Sequence, residues 1–170
     1  MHLEILLEER SAEETLNVLL PRLLDPGTSW ELHAFEGKRD LLAKVTGRLR
    51  GYAKWIRDAN TKIVVLVDED RQDCHKLKSA LEMAAGTAGL ETKTSAAGGP
   101  FFVLNRLAVE ELEAWFFGDS QALRAAYPRI PQHIDQKAFC RHPDSITGGT
   151  WNVSRKFSKA LDIIERDSPN

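Results

Sequence analysis

The stretch that decides the fold is KIVVLVDED, residues 62–70. Its apolar part is rich in β-branched residues and has no polar alternation, which is typical of a strand covered on both faces in a parallel sheet. The strand then runs directly into Asp68, Glu69 and Asp70, three acids that strand packing does not require. Four interpretations fit such acids: a helix cap, a phosphate-accepting aspartate, part of an ATPase, or a metal site.

Similar apolar segments occur before and after this strand, and they alternate with segments of helical periodicity. The predicted strands span residues 2–7, 30–35, 62–67, 91–96 and 101–109, and the predicted helices span residues 11–24, 39–59, 71–90, 110–118, 120–127 and 154–167. This alternation predicts an α/β domain with a mainly parallel central sheet flanked by helices, as in Rossmann-like folds. Because the pattern weakens after Pro131, we expect this domain over residues 1–131 and a loop-rich, helical C-terminal extension over residues 132–170.

Size and composition are those of an ordinary globular chain. It has 170 residues, 42% hydrophobic and 28% charged, and its net charge of -2 excludes a uniformly basic nucleic-acid-binding protein. Cys74 and Cys140 match no metal-binding spacing, which favours a reduced cytoplasmic protein. The start MHLEILLEER is too short and too acidic for a signal peptide, and no apolar run approaches the ~20 residues of a membrane helix.

Acids follow two of the predicted strands at the point where each strand ends. Glu8 follows the first strand, and Asp68 and Asp70 follow the third. The strands of a parallel sheet end at one edge, where ligands bind, so neighbouring strands would crowd these carboxylates together. Like charges so close repel, and a divalent cation removes that repulsion. Oxygen ligands without His or Cys favour Mg²⁺ or Mn²⁺.

The same acids also fit alternatives to a metal site. Asp70 before a helix is a good N-cap, and Asp73 stands where a capping acid would. An ATPase Walker B strand also ends in acids, but the chain has no G-x-x-x-x-G-K-[ST] loop. A receiver domain has a lysine after a late strand, where this chain has LAVEELE, and a haloacid-dehalogenase-type phosphatase has its Asp-x-Asp after the first strand.

A second pair of acids lies further along the chain. Glu110 and Glu113 are three residues apart, so they share one face of the predicted helix over residues 110–118. They follow an extended segment, as Glu8 and Asp68 do, and a helix that begins at the sheet edge would bring either acid to a metal. The alternative is an ordinary amphipathic helix with acids in its first turn.

Residues 38–57 form a basic segment that also contains Tyr52 and Trp55. Basic groups neutralise phosphates and aromatic rings stack on bases, so this segment is a candidate nucleic-acid-binding surface. The alternative is a solvated helix face whose aromatic residues pack inward. The candidate residues are Lys38, Arg39, Lys44, Arg48 and Lys54.

The chain resembles known proteins over residues 1 to about 151. An acid after the first strand together with Asp-x-Asp after the third resembles the Toprim domain of primases, topoisomerases and overcoming-lysogenisation-defect (OLD) nucleases. More closely, the chain resembles an uncharacterised bacterial family of Toprim-like proteins. The segments that carry this resemblance are LLEERSAEETLNVLLPRLL, RLRGYAKW, VVLVDEDRQDCHKLK, RLAVEELEAWFFGD, ALRAAYPRIP and GGTW.

The resemblance implies a Toprim-like fold and a nuclease that depends on Mg²⁺ or Mn²⁺. It implies that Glu8 is a general base or metal ligand, and that Asp68 and Asp70 bind Mg²⁺. Glu110 and Glu113 would supply a second metal position. It also implies an ABC- or AAA-type ATPase as a partner in genome or phage defence.

The chain departs from these relatives in two places. Glu9 stands where Toprim domains often have glycine, and the chain ends in DIIERDSPN where the resembling family continues with a longer basic region. The alternatives to a nuclease are a non-catalytic adaptor of such an ATPase and a small phosphatase acting on phosphorylated metabolites. The sequence leaves the oligomeric state open, a homodimer included.

Overall fold

A computed structural model describes residues 1–58, 60–109, 111–128, 130 and 133–146. The chain divides into two compact units, the first spanning Met1–Ala108 and the second beginning at Val109. No helix among the described residues has the length and apolar character that crossing a membrane requires.

The first unit is an α/β fold built on a parallel sheet of four strands in the order β2-β1-β3-β4. The strands are β1 (His2–Leu7), β2 (Ser29–Ala34), β3 (Thr61–Asp68) and β4 (Val103–Ala108). The helices between them are α1 (Arg10–Leu23), α2 (Lys38–Ala53) and α3 (Cys74–Thr87). The predicted fold class, an α/β fold with a parallel central sheet flanked by helices, is confirmed.

The core explains why these segments fold as they do. In α2, the apolar residues Leu41, Val45 and Leu49 recur every four positions, which gives the helix one apolar face that is buried. This face and that of α3 cover the same side of the sheet, in a core that includes Leu6, Val65, Val67, Leu77 and Leu81. The chain moves from β1 to β2 on one side and then back past β1 to β3 on the other. Right-handed connections therefore put α1 on the opposite face of the sheet from α2.

The predicted strand over residues 91–96 is wrong. Thr92 makes only an isolated bridge to Val103, and the segment otherwise forms turns. The Ser95 N–H donates to Thr92 Oγ1 at 2.9 Å, and the Thr92 N–H donates to Ser95 Oγ at 2.9 Å. Hydroxyl groups that satisfy the nearby backbone in this way compete with the hydrogen bonds of a sheet.

The helix predicted over residues 71–90 begins later, at Cys74, because Asp73 is its N-cap. The Asp73 carboxylate accepts hydrogen bonds from the backbone N–H groups of His75 (3.0 Å) and Lys76 (3.1 Å). Asp70 and Arg71 have left-handed backbone conformations, with φ of 49° and 60°, so they lie in the loop before the helix. The interpretation of Asp70 as a helix cap is therefore wrong, and capping does not account for an acid at this position.

The second unit consists of short helices around a small apolar core. Its elements are a 3-10 helix (Leu112–Gly118), α4 (Ser120–Ala126), a 3-10 turn (Ile134–Gln136), α5 (Ala138–Arg141) and a 3-10 turn (Pro143–Ser145). Ala114, Phe117, Ile134, Cys140 and Ile146 form the core. The predicted helix over residues 154–167 and the GGTW segment lie outside the described residues.

Candidate functional site

The strand order places two of the predicted site residues side by side. β1 is followed in the chain by β2 on one side, whereas β3 and β4 lie on its other side. Ligands of parallel α/β sheets bind at such a switch point, in the crevice beyond the carboxyl ends of the strands. Glu8 follows β1 and Asp68 ends β3 at this point, and the Asp68 N–H donates to Glu8 Oε2 at 3.2 Å.

Lys38 connects Glu8 with the loop after β3. It is the first residue of α2 and directly follows Gly37, whose φ of 91° favours glycine. The Lys38 ammonium group donates to Asp70 Oδ2 at 2.8 Å and to the carbonyl oxygen of Glu69 at 3.3 Å. It also lies 4.0 Å from Glu8 Oε2, so it stands between the two carboxylates.

The carboxylates differ in their access to solvent. The side chain of Asp70 is 43% exposed, whereas that of Glu8 is 13% exposed. Burial raises the pKa of the Glu8 carboxyl group above its ordinary value, although Lys38 and the Asp68 N–H favour the ionised form. The site therefore combines a half-buried carboxyl group with raised proton affinity and a more accessible aspartate.

The later acids belong to the second unit. Glu113 lies in the first turn of the 3-10 helix Leu112–Gly118, and Glu110 lies outside the described residues. The prediction that these two acids supply a second metal position stays a prediction.

A different group of possible ligands was not predicted from the sequence. Among the residues that the structure describes, only His2, Glu4 and Glu31 form a set of three or more ligand atoms within 4.8 Å of one another. Glu8, Asp68 and Asp70 do not form such a set, with the Lys38 ammonium group standing between Glu8 and Asp70. The signal that was missed is the strand register, which pairs Glu4 with Glu31.

The Glu4 carboxylate nevertheless forms hydrogen bonds with other side chains of the protein. Its Oε2 accepts from His33 Nε2 at 2.6 Å and from the Tyr52 hydroxyl at 2.9 Å. Burial raises the pKa of Glu4, but the hydrogen bonds from His33 and Tyr52 outweigh it, so the net pKa is lowered. Burial, together with the neighbouring Glu4, raises the pKa of Tyr52 to about 12. These contacts identify Glu4 as a buried structural carboxylate.

The structure does not gather the predicted nucleic-acid-binding residues on one surface. Lys38 is buried, whereas Arg39, Lys44, Arg48 and Lys54 are exposed. Lys44 forms an ion pair with Asp40, and both Lys44 and Arg48 line a cleft of about 510 Å³ beside the end of β2. The ~100° turn per residue of an α-helix directs Arg39 and Lys54 away from that cleft.

Comparison with known proteins identifies a matching family. The model of the family described as "Domain of unknown function (DUF4276)" matches residues 7–167, a range that contains Glu8, Lys38, Asp68 and Asp70. No curated protein and no solved structure matches the chain significantly. The match agrees with the predicted resemblance to an uncharacterised family. Because it covers most of the chain, the chain belongs to the DUF4276 family, a domain of unknown function.

Proposed function

We propose that the protein is a divalent-cation-dependent phosphodiesterase that hydrolyses nucleic acid in the manner of Toprim nucleases. The observation that carries the proposal is that the Lys38 ammonium group lies between the carboxylates of Glu8 and Asp70 at the switch point between β1 and β3, where the Asp68 backbone N–H also donates to Glu8. Asp73 already caps α3, so helix capping does not account for Asp70. Carboxylates gathered in a ligand-binding crevice mark a functional site.

The chemistry of the donors fits Mg²⁺ or Mn²⁺. Glu8, Asp68 and Asp70 offer carboxylate oxygens, the ligands that these hard cations prefer. Asp68 and Asp70 would hold the ion. When bound, the cation would activate a water molecule and stabilise the leaving oxygen of the nucleic-acid strand.

Glu8 is suited to accept a proton. A half-buried carboxyl group with a raised pKa is a stronger base than an exposed glutamate, because its pKa lies closer to the pH at which enzymes work. The hydrogen bond from the Asp68 N–H fixes the orientation of its carboxylate beside the end of β3. Glu8 would therefore take the proton of the attacking water or share the cation.

Exposed basic residues of α2 would contact the phosphate backbone. Lys44 and Arg48 line the cleft beside β2, and Arg10 joins them there. Acids also line this cleft, among them Glu13 and Asp40, so its charge is mixed. We therefore expect these residues to position the strand weakly and without sequence preference.

A second candidate function is a non-catalytic adaptor of an ABC- or AAA-type ATPase. The observation that favours it is that the acids at the switch point already have partners within the protein. Lys38 forms an ion pair with Asp70, and the Asp68 backbone N–H donates a hydrogen bond to Glu8, as expected where acids only stabilise the fold. Either function is compatible with a role in genome or phage defence, which the resemblance implies.

A cleavage assay tests the first function. We expect the purified protein to cleave plasmid or single-stranded DNA in the presence of Mg²⁺ or Mn²⁺, and to lose this activity completely when EDTA removes the cation. Cleavage that continues in EDTA would contradict the proposal. A stable complex with an ATPase and no cleavage would favour the adaptor, and turnover of a generic phosphate ester alone would indicate a phosphatase.

A further inference from the structure

Two side chains hold the guanidinium group of Arg48 in place. Its Nη2 donates to His33 Nδ1 at 2.9 Å, and its Nε donates to the Tyr52 hydroxyl oxygen at 3.2 Å. The guanidinium carbon also lies 5.5 Å from the centroid of the Tyr52 ring, within the range of a cation–π contact. Within the described part of the chain, no ion pair with a carboxylate neutralises Arg48.

A buried carboxylate fixes the two partners of Arg48. A guanidinium group only donates, so His33 Nδ1 and the Tyr52 oxygen are its acceptors. The ring proton of His33 is therefore on Nε2, which donates to Glu4 Oε2 at 2.6 Å, and the Tyr52 hydroxyl donates to the same oxygen at 2.9 Å. Glu4 and Tyr52 are each 7% exposed. Both partners are thus neutral, and their attachment to Glu4 restricts where the guanidinium group can lie.

Arg48 presents this guanidinium group to the cleft beside β2. Arginine has five N–H donors, and the two that bond to His33 and Tyr52 leave three for a ligand. The cleft has no overall positive field to attract an anion, so binding there depends on directed hydrogen bonds. Its lining carries three basic and three acidic side chains: Arg10, Lys44, Arg48, Glu13, Glu36 and Asp40.

We infer that Arg48 is the residue that binds a phosphate group of the nucleic-acid strand, and that His33 and Tyr52 are positioning residues that direct its guanidinium group into the cleft. The inference rests on the proposed function, because that function makes the ligand a nucleic acid. Lys44 is less suited to this role, since it is already paired with Asp40. A planar guanidinium group also binds two phosphate oxygens with parallel hydrogen bonds, which a lysine cannot do.

Binding of a fluorescein-labelled oligothymidylate to the full chain in EDTA, followed by fluorescence anisotropy, tests this inference separately from cleavage. We expect Arg48→Gln to bind about tenfold more weakly than the wild type, as for the loss of a charged hydrogen-bond donor. The slope of the logarithm of affinity against the logarithm of salt concentration should become shallower by about 0.7, the contribution of one phosphate contact on a single strand. Arg48→Lys keeps the charge but lacks the planar donor pair, so we expect it also to bind more weakly.

Arg50→Gln is the matched control for these variants. Arg50 is an exposed arginine on the same helix, but it does not line the cleft. The substitution removes the same charge as Arg48→Gln, so it measures what surface charge alone contributes. We expect its affinity to equal that of the wild type.

Tyr52→Phe tests the positioning role. It removes only the hydroxyl group that accepts from Arg48 and donates to Glu4. We expect about threefold weaker binding, as for the loss of one hydrogen bond. Because this effect passes through Arg48, adding Tyr52→Phe to Arg48→Gln should cause no further loss. An equal loss with and without Arg48 would give Tyr52 a structural role and contradict the inference.

The other outcomes separate this inference from the proposed function. Wild-type affinity in Arg48→Gln or in Arg48→Lys, or equal losses in Arg48→Gln and Arg50→Gln, would overturn the inference. If Arg48→Gln does not fold, Arg48→Lys decides. A wild type that does not bind the oligothymidylate would also overturn it. Cation-dependent cleavage by the same preparation would leave the proposed function standing in each case, whereas neither binding nor cleavage would overturn both.

Discussion

We expect that replacing Asp68 and Asp70 together by asparagine will lower cation-dependent DNA cleavage by about a thousandfold or more. The variant loses two carboxylate ligands, and the electrostatic stabilisation that a bound cation gives to the transition state is several kcal/mol, with ~1.4 kcal/mol for each factor of ten in rate. Asparagine is the suitable replacement because Asp70 has a φ of 49°, a conformation that asparagine tolerates. The measurement is the initial rate of plasmid cleavage at saturating Mg²⁺.

Asp73→Asn is the control for this double variant. Asp73 lies in the same loop, but its carboxylate caps α3 and takes no part in the proposed site. Asparagine is also a good N-cap, so the control should keep both its fold and its cleavage rate. If the double variant keeps more than a small fraction of the wild-type rate, Asp68 and Asp70 do not hold the catalytic cation.

If Glu8 is the general base, we expect Glu8→Gln to lower the cleavage rate by about a hundredfold, the lower end of the range for losing such a group. The same substitution should not lower stability. Because the folded-state pKa of Glu8 is raised, the ionised carboxylate costs folding free energy, and this cost grows as the pH rises through that pKa. Glutamine carries no charge, so above that pKa the variant should unfold at the same or a higher denaturant concentration than the wild type.

Glu9→Gln provides the comparison for Glu8→Gln. Glu9 is the next residue, is exposed, and accepts a hydrogen bond from the Ser11 hydroxyl at 2.7 Å. We expect its cleavage rate to match that of the wild type. Parallel losses of rate and stability in Glu8→Gln would instead assign Glu8 a structural role.

The sequence predicted the sheet because each parallel strand can be recognised from the residue types within its own short segment. A β-branched run without alternation, as in residues 62–67, is typical of a strand covered on both faces in a parallel sheet, and acids that follow parallel strands lie at one edge of the sheet. The helix of α2 followed from the four-residue spacing of Leu41, Val45 and Leu49. These inferences needed no knowledge of which strands are neighbours.

What the sequence did not predict depends on contacts between distant segments. Lys38 belongs to a basic segment, and only the crossing of α2 over the sheet reveals that its ammonium group meets Asp70. The choice between Asp70 and Asp73 as the helix cap depends on the backbone conformation of a single loop. The network of Glu4, His33 and Tyr52 likewise requires the register of β1 with β2 and the packing of α2.

The central claim is that the switch point between β1 and β3 binds a divalent cation. The most direct measurement is a crystal structure of the protein soaked in Mn²⁺, with the ion located by its anomalous scattering. We predict a peak within coordination distance of the carboxylates of Asp68 and Asp70. A peak at His2, Glu4 and Glu31 instead, or no peak beside Asp68 and Asp70, would contradict the claim.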